Sequence, residues 1–308
     1  MKHFLDLSLI SKSDLNQILS DAKRRKLQQS KLGKVVVSNK SYAKDKLLLM
    51  VFEKPSTRTR LSFDIAMRQL GGQTIVMNSS DMHLGIGEES VEDTAKVISS
   101  FSDIVMFRTF KHQTLLDLSK LLHVPLINGL TNSSHPCQLL SDVMTFEEKK
   151  GPIKEATVAW VGDGNNVANS AIEAAVQFEF KLNICVPKKH LPSKKVLDWA
   201  EKNNGKIEIF HDPKKGVKDV DCIMSDKWIS MGDKVDGQKK KSDFKQFQVN
   251  EQLIELTKKD SIYLHVLPAA RGEEVASSVI DGKQSLVWVQ AENRLHGQKA
   301  IIDWCLSD

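Results

Sequence analysis

Long apolar runs are missing from this chain of 308 residues. No stretch approaches the roughly 18 residues that a membrane-spanning helix needs. The opening MKHFLDLSLIS has no charged segment followed by an apolar run of signal-peptide length. The expectation is a soluble, cytoplasmic protein with no membrane partner. Proline and glycine are also scarce, at 8 and 16 residues, and with 41% hydrophobic and 27% charged content this excludes collagen-like and disordered classes. Cysteine is limited to Cys137, Cys185, Cys222 and Cys305, which are far apart and form no C-x-x-C spacing for zinc or a redox couple. Reduced thiols are expected. No internal repeat, low-complexity segment or cluster at metal-ligand spacing is visible, so neither a metal nor a cofactor is expected.

What the sequence does have is a modest basic excess, 44 Lys and Arg against 39 Asp and Glu. Residues 186–245 hold 15 Lys, no Arg and 10 acids, which accounts for the whole surplus of +5. These lysines are interleaved with Asp, Gly and Pro, and only Lys239, Lys240 and Lys241 are consecutive. That pattern predicts a solvated face rather than a nucleic-acid surface.

At roughly 150 residues per domain, the length suggests two domains. Short apolar runs bounded by turn residues recur at Leu47–Phe52, Thr74–Met77, Ile104–Phe107, Thr157–Val161, Leu182–Val186, Cys222–Ser225 and Ile262–Val266. Between most of them lie helix-length segments with apolar residues three and four apart, such as Ser62–Leu70 and Ala168–Phe178. Alternating strands and helices predict an α/β fold with mainly parallel, doubly wound sheets. Lys149-Lys150-Gly151-Pro152 stops a helix before the next strand, so a boundary is expected near residues 131–152. In such folds ligands bind beyond the carboxyl ends of the strands, and a cleft between domains is the default site.

After the strand ending at Phe52 comes Glu53-Lys54-Pro55-Ser56-Thr57-Arg58-Thr59-Arg60, then an amphipathic helix. Ser and Thr at a helix start cap free backbone donors, and the dipole makes that end attractive to anions. Arginines beside those donors suit a phosphate. Arg108 follows the strand at Ile104, and His135-Pro136-Cys137-Gln138 follows a loop. In the second half, Gly162-Asp163-Gly164 is half of a dinucleotide fingerprint, but the third glycine is missing. The following strand ends in Val186-Pro187-Lys188 without an acid for a ribose, so nicotinamide binding is not expected.

Taken together, Pro55–Arg60, Arg108, His135–Gln138 and four later segments resemble, in order and spacing, the aspartate and ornithine carbamoyltransferases. The resemblance runs from residue 53 to about 300. It implies that Ser56, Thr57, Arg58, Thr59 and Arg108 hold the phosphate of carbamoyl phosphate, while Thr59, Arg108, His135 and Gln138 surround its carbamoyl group. Arg58, Arg108 and His135 would act on the reacting atoms. Asn166 would hold the backbone groups of the amino-acid substrate. Asp226-Lys227-Trp228-Ile229-Ser230-Met231-Gly232 looks like the D-x-W-x-S-M-G loop of the ornithine branch, in which Asp226 meets the α-amino group and Ser230 and Met231 close over the site. His265-Val266-Leu267-Pro268 would place Val266 and Leu267 against the ligands, and Ala291–His296 would bring Arg294 to the carbamoyl end.

The resemblance therefore implies carbamoyl transfer to the δ-amine of L-ornithine, giving L-citrulline and phosphate, in arginine or urea-type metabolism. It also implies a homotrimer whose two domains close over the substrates. Residues 1–133, with a returning C-terminal helix at about 290–308, would bind carbamoyl phosphate, and 134–289 would bind ornithine. The demand on the site fits: fixed donors must meet charge developing on the carbonyl oxygen and on departing phosphate.

Two positions depart from the family pattern. Val266 stands where relatives carry Cys, and valine cannot take a proton or a hydrogen bond. His83 stands where relatives carry Gln reaching a neighbouring subunit's carbamoyl phosphate. The two changes bear on rate and pH profile, and Val266 leaves open a catalytically weakened, ligand-binding relative; the other alternative is a carbamoyltransferase for another amine. Asp226 speaks against putrescine, which has no α-amino acid head.

Overall fold

A computed structural model describes residues 1–32, 41–81, 89–229 and 237–307. The chain divides into two compact units, Met1–Met144 with Glu292–Asp308, and Thr145–Ala291. Both changes fall inside helices, Pro136–Lys150 and Val287–Leu306.

The first unit is built on strands β1 (Leu47–Phe52), β2 (Gln73–Asn78), β3 (Ile104–Arg108) and β4 (Leu126–Leu130), all parallel, in the order β2-β1-β3-β4. Helices α1 (Lys12–Leu32), α2 (Thr57–Gln69), α3 (Val91–Phe101), α4 (His112–Leu121) and the start of α5 (Pro136–Lys150) accompany it. β1 and β3 read as continuous apolar runs because both faces are covered; every residue in them except Leu47 is buried. α2 buries Phe63, Ala66 and Met67, one helical face. Each large side chain removed from water this way contributes about 1.5–3 kcal/mol.

β4 is not among the strands expected from sequence, because Asn128-Gly129 inside it reads as a turn. The glycine is there for contact: a Cβ at Gly129 would lie 2.3 Å from Met106 Sδ, so any larger residue would push the Met106 side chain aside. Beyond β4 the N-terminal segment extends the sheet, with Phe4 N–H bonded to Leu126 O at 2.9 Å and Asn128 N–H to Phe4 O at 2.8 Å.

The second unit holds β5 (Thr157–Val161), β6 (Lys181–Cys185), β7 (Ile207–Phe210), β8 (Cys222–Ser225) and β9 (Ile262–His265), parallel and ordered β7-β6-β5-β8-β9. Its helices are α6 (Asn166–Gln177), α7 (Lys194–Lys202), α8 (Pro213–Gly216), α9 (Gly237–Phe244), α10 (Glu251–Ile254), α11 (Ser277–Ile280) and the start of α12 (Val287–Leu306). α6 is buried from Val167 through Gln177. Val161, Ile223, Tyr263, Phe244, Phe247 and Trp228 share one core. β7, an edge strand of four residues none of which is buried, also escapes a sequence reading.

The remainder of α12 belongs to the first unit, as the expected returning helix. Asp303 on it accepts from Arg25 and, at 2.6 Å, from Ser41 Oγ; Lys299 Nζ reaches Gln29 Oε1 at 2.7 Å. The lysine-rich stretch is mostly solvated: Lys188, Lys189, Lys194, Lys195, Lys202, Lys206, Lys214, Lys215 and Lys218 are exposed. Lys240 departs from that expectation. Its side chain is only 10% exposed and pairs with Asp163 at 2.7 Å.

Both sheets are doubly wound, and each has a point where the strand order reverses. In the first unit it lies between β1 and β3, in the second between β5 and β8. Ligand sites of open α/β sheets form at such points, outside the carboxyl ends of the strands. Glu53–Thr59 and Arg108–Phe110 occupy one, and Gly162–Asn166 and Asp226 the other.

Candidate active site

In the first unit, the chain leaves β1 at Phe52 and enters α2 through Ser56, whose Oγ caps the helix by accepting from Thr59 N–H at 3.3 Å. Capping turns Thr59 inward, where it is 1% exposed. Its Oγ1 accepts from Arg108 Nη1 at 3.3 Å and from Arg294 Nη2 at 3.4 Å. Arg294, on α12, also donates Nη1 to Gln138 Oε1 at 2.7 Å, and Gln138 gives one amide proton to Asp142 Oδ1 at 2.8 Å. Three helices and one strand end thus bring Thr59, Arg108, Gln138 and Arg294 into one buried cluster. The Nε–H groups of Arg108 and Arg294 are buried in it without a protein acceptor. Buried donors in that state are costly unless something accepts from them.

The charge around the cluster is one-sided. Burial lowers the Arg108 guanidinium to about 10, and the nearby Arg294 and Arg58 add to the shift. His135, fully buried at the N-terminus of α5, is held well below the usual histidine range by burial first, then by Arg294, Arg108, Lys54 and Arg58. It is a neutral imidazole at physiological pH. Lys54, in the β1–α2 loop, is buried with its Nζ 4.5 Å above the Phe110 ring. Burial and Arg108 lower it to about 8, against the pull of Glu53. Cations gathered in a low-dielectric place repel one another, and an anion relieves that repulsion.

Lys54 is a site residue that the sequence reading passed over. A lysine between a buried strand and a Ser cap was the available signal. Ser56 and Arg58 are partly exposed, whereas Thr57 and Arg60 stand at the surface.

In the second unit, Asp226 follows β8 and keeps partial exposure. Its carboxyl is raised above the usual range by burial first, opposed by His265, by the Lys227 backbone N–H and by Asn165. Asn165 Nδ2 donates to Asp226 Oδ2 at 3.0 Å, while its Oδ1 caps α6 by accepting from Val167 and Ala168 N–H. Asn165 is thus the residue that orients Asp226. Asn166, the expected contact, begins α6 beside it and is partly exposed. The glycines of the β5–α6 loop serve geometry: Gly162 has φ +140°, and a Cβ on Gly164 would meet Leu191 C at 2.3 Å.

At the end of β9, His265 Nδ1 accepts from Leu267 N–H at 2.8 Å. The ring proton therefore sits on Nε2, which lies 3.2 Å from Glu274 Oε1 without hydrogen-bond alignment. Leu267 takes a left-handed backbone conformation, φ +57°, that costs a leucine about 1–2 kcal/mol. Val266 N–H is tied to Ser225 O at 3.2 Å, and both Val266 and Leu267 are half-buried. His83, Ser230 and Met231 lie outside the described residues. Among the described residues, no group of three or more His, Cys, Asp or Glu could hold a metal, and no helix is long and apolar enough to cross a membrane.

Residues 2–148 match the sequence profile of the carbamoyl-P binding domain of aspartate/ornithine carbamoyltransferase, and residues 154–305 match that of its Asp/Orn binding domain. The ornithine carbamoyltransferase of Rhodopseudomonas palustris is 50% identical over 99% of this chain and 96% of that protein. The Pyrococcus furiosus enzyme of the same name superposes with a TM-score of 0.91 at 43% identity, covering 98% of this chain and 96% of the other. The Burkholderia thailandensis one does so at 0.89 and 39%, covering 99% of each. Resemblance along both units, in sequence and in fold, makes this chain a member of the aspartate/ornithine carbamoyltransferase family.

Proposed function

We propose that this chain is an ornithine carbamoyltransferase, moving the carbamoyl group of carbamoyl phosphate to the δ-amine of L-ornithine to give L-citrulline and phosphate. The observation that carries it is the buried Thr59–Arg108–Gln138–Arg294 cluster at the start of α2, a cationic pocket of donors with two guanidinium N–H groups still to be accepted. Carbamoyl phosphate is a small dianion with one carbonyl, which suits that set. The phosphate falls to Ser56, Thr57, Arg58, Thr59 and Arg108, and the carbamoyl group to Thr59, Arg108, His135, Gln138 and Arg294, with the Val266–Leu267 backbone against the ligands.

In the reaction a nitrogen–carbon bond forms to the carbamoyl carbon and the carbon–oxygen bond to phosphate breaks. Ornithine must lose one δ-ammonium proton before attack, since its pKa lies near that of lysine, about 10.4. A second proton leaves as the new bond forms. His135 is a poor acceptor among four cations, so its imidazole serves as a neutral hydrogen-bond donor and the departing phosphate oxygen takes the proton. Negative charge on the carbonyl oxygen meets Thr59, Arg108 and His135. Donors so placed are worth about 2.7–4 kcal/mol each in the transition state. Asp226 receives the α-ammonium of ornithine, and Asn166 its other backbone groups.

The same reading includes a cytoplasmic homotrimer in arginine metabolism. Four free, buried thiols support a reducing compartment, and exposed Leu61, Ile65, Val97 and Phe101 on α2 and α3 support a subunit contact. Citrulline formation assayed with ornithine, putrescine and aspartate as acceptors tests the function. Product with ornithine alone is expected, and none with ornithine overturns it. Native mass spectrometry showing three chains per particle tests the trimer.

A further inference from the structure

We propose that Asp6 and His112 are positioning residues for the carbamoyl-phosphate site, setting the Thr131–Ser134 loop and through it the imidazole of His135. This rests on the role proposed above for His135.

Ser134 immediately precedes His135, and Pro136 begins α5, so the loop's last residue fixes where the imidazole starts. The loop is held by a ring of hydrogen bonds closed by one His–Asp contact. Thr131 Oγ1 accepts from the N–H groups of Ser133 and Ser134, each at 3.1 Å. Its hydroxyl proton is then left to His112 Nδ1, 3.0 Å away. With Nδ1 accepting, the other ring nitrogen of His112, Nε2, faces Asp6 Oδ2 at 3.1 Å as a close polar contact. The other Asp6 oxygen accepts from Ser134 Oγ, which returns the ring to the residue where it began.

Asn128 braces the same point. Its Nδ2 donates to Ser134 Oγ at 2.9 Å and to Leu5 O at 2.8 Å, tying the loop to the residue before Asp6. Thr131, Ser134 and Asn128 are at most 3% exposed, and the Asp6 and His112 side chains are 13% and 18% exposed. The ring therefore lies largely out of water, where such bonds hold their geometry. Asp6 comes from the N-terminal segment and His112 from the first residue of α4, and their contacts run to the loop rather than to Thr59, Arg108, Gln138 or Arg294. Each acts by orienting a residue that does, as the third member of a triad orients its base.

The test is steady-state kinetics of the full chain at a temperature below unfolding, with the unfolding midpoint measured for each variant. Asp6→Ala and His112→Ala are each expected to lower kcat about 10- to 100-fold, the effect of misplacing a reacting group by roughly an ångström, with KM for ornithine unchanged. The double variant should be no worse than either single one, because a ring opened once is open. Asp6→Asn keeps an acceptor for Ser134 and should recover most of the lost kcat; it also decides the matter if Asp6→Ala fails to fold. His135→Gln runs alongside. Wild-type kcat in the Asp6 and His112 variants, with His135→Gln impaired, overturns this proposal alone. Wild-type kcat in His135→Gln overturns the role of His135 itself, and this proposal with it.

Discussion

Replacing Thr59 by Val removes one hydroxyl and leaves the side-chain shape nearly unchanged. Thr59 Oγ1 accepts from Arg108 at 3.3 Å and Arg294 at 3.4 Å. Both bonds are longer than the usual N–H···O range, so their contribution lies at the low end, and losing them costs about 1–3 kcal/mol of folding stability. The catalytic loss should be larger. With two guanidinium groups donating into Oγ1, the hydroxyl proton is left to donate to the carbamoyl oxygen. Removing one such donor costs about 2.7–4 kcal/mol of transition-state stabilisation, or about 10²–10³ in kcat. Denaturant unfolding would give the first figure, and citrulline formation at saturating substrates the second. A kcat loss below about tenfold, under about 1.4 kcal/mol, would refute the assignment of Thr59 to the developing charge.

Further outcomes are expected from four positions, His135, Asp226, Lys240 and Val266. His135 is kept neutral when folded but binds a proton below about pH 6.5 when unfolded, so stability falls as pH drops from 6.5 toward its depressed folded value, by up to about 1.4 kcal/mol per pH unit; acid unfolding of His135→Gln should lack that part of the slope. Asp226→Asn should raise KM for ornithine about 10-fold or more and leave KM for carbamoyl phosphate unchanged. Because the Asp226 carboxyl is raised by burial, the same variant should be more stable than wild type at neutral pH, and the gain should vanish below about pH 3.8, where the carboxyl is protonated in both states. Lys240→Met breaks the buried pair with Asp163, leaving His190 Nδ1 3.9 Å away, and should cost up to about 3–5 kcal/mol in unfolding experiments, whereas Lys188→Met on the solvated face should cost almost nothing. Since the amine proton is assigned to phosphate, Val266→Cys should change kcat by less than about tenfold; a gain of 100-fold, the size of a general-base contribution, would show that proton handling is what the valine lacks.

The residues legible in the sequence are those whose neighbours in the chain announce them. Pro55–Arg60 shows its cap and its anion site because Ser, Thr and Arg sit together at a helix start. Arg108 shows itself by ending an apolar strand. Arg294 carries no such local signal, since what makes it part of the cluster is α12 returning to the first unit, and only family resemblance pointed there. The Asn165–Asn166 pair was legible as a helix start, but which of the two would face Asp226 depends on helix phase. β4 was hidden because Asn128-Gly129 carries a turn signature for reasons of packing against Met106 and hydrogen bonding to Leu5. Lys240 looked solvated because its partner, Asp163, lies on a loop far away in sequence. In each case the hidden part depends on a contact between distant segments, which periodicity and local propensity do not encode.

The most direct measurement follows the carbamoyl carbon. With ¹³C-labelled carbamoyl phosphate and ornithine, the label is expected in citrulline at one equivalent per phosphate released. Phosphate release without labelled citrulline would contradict carbamoyl transfer to ornithine by this chain.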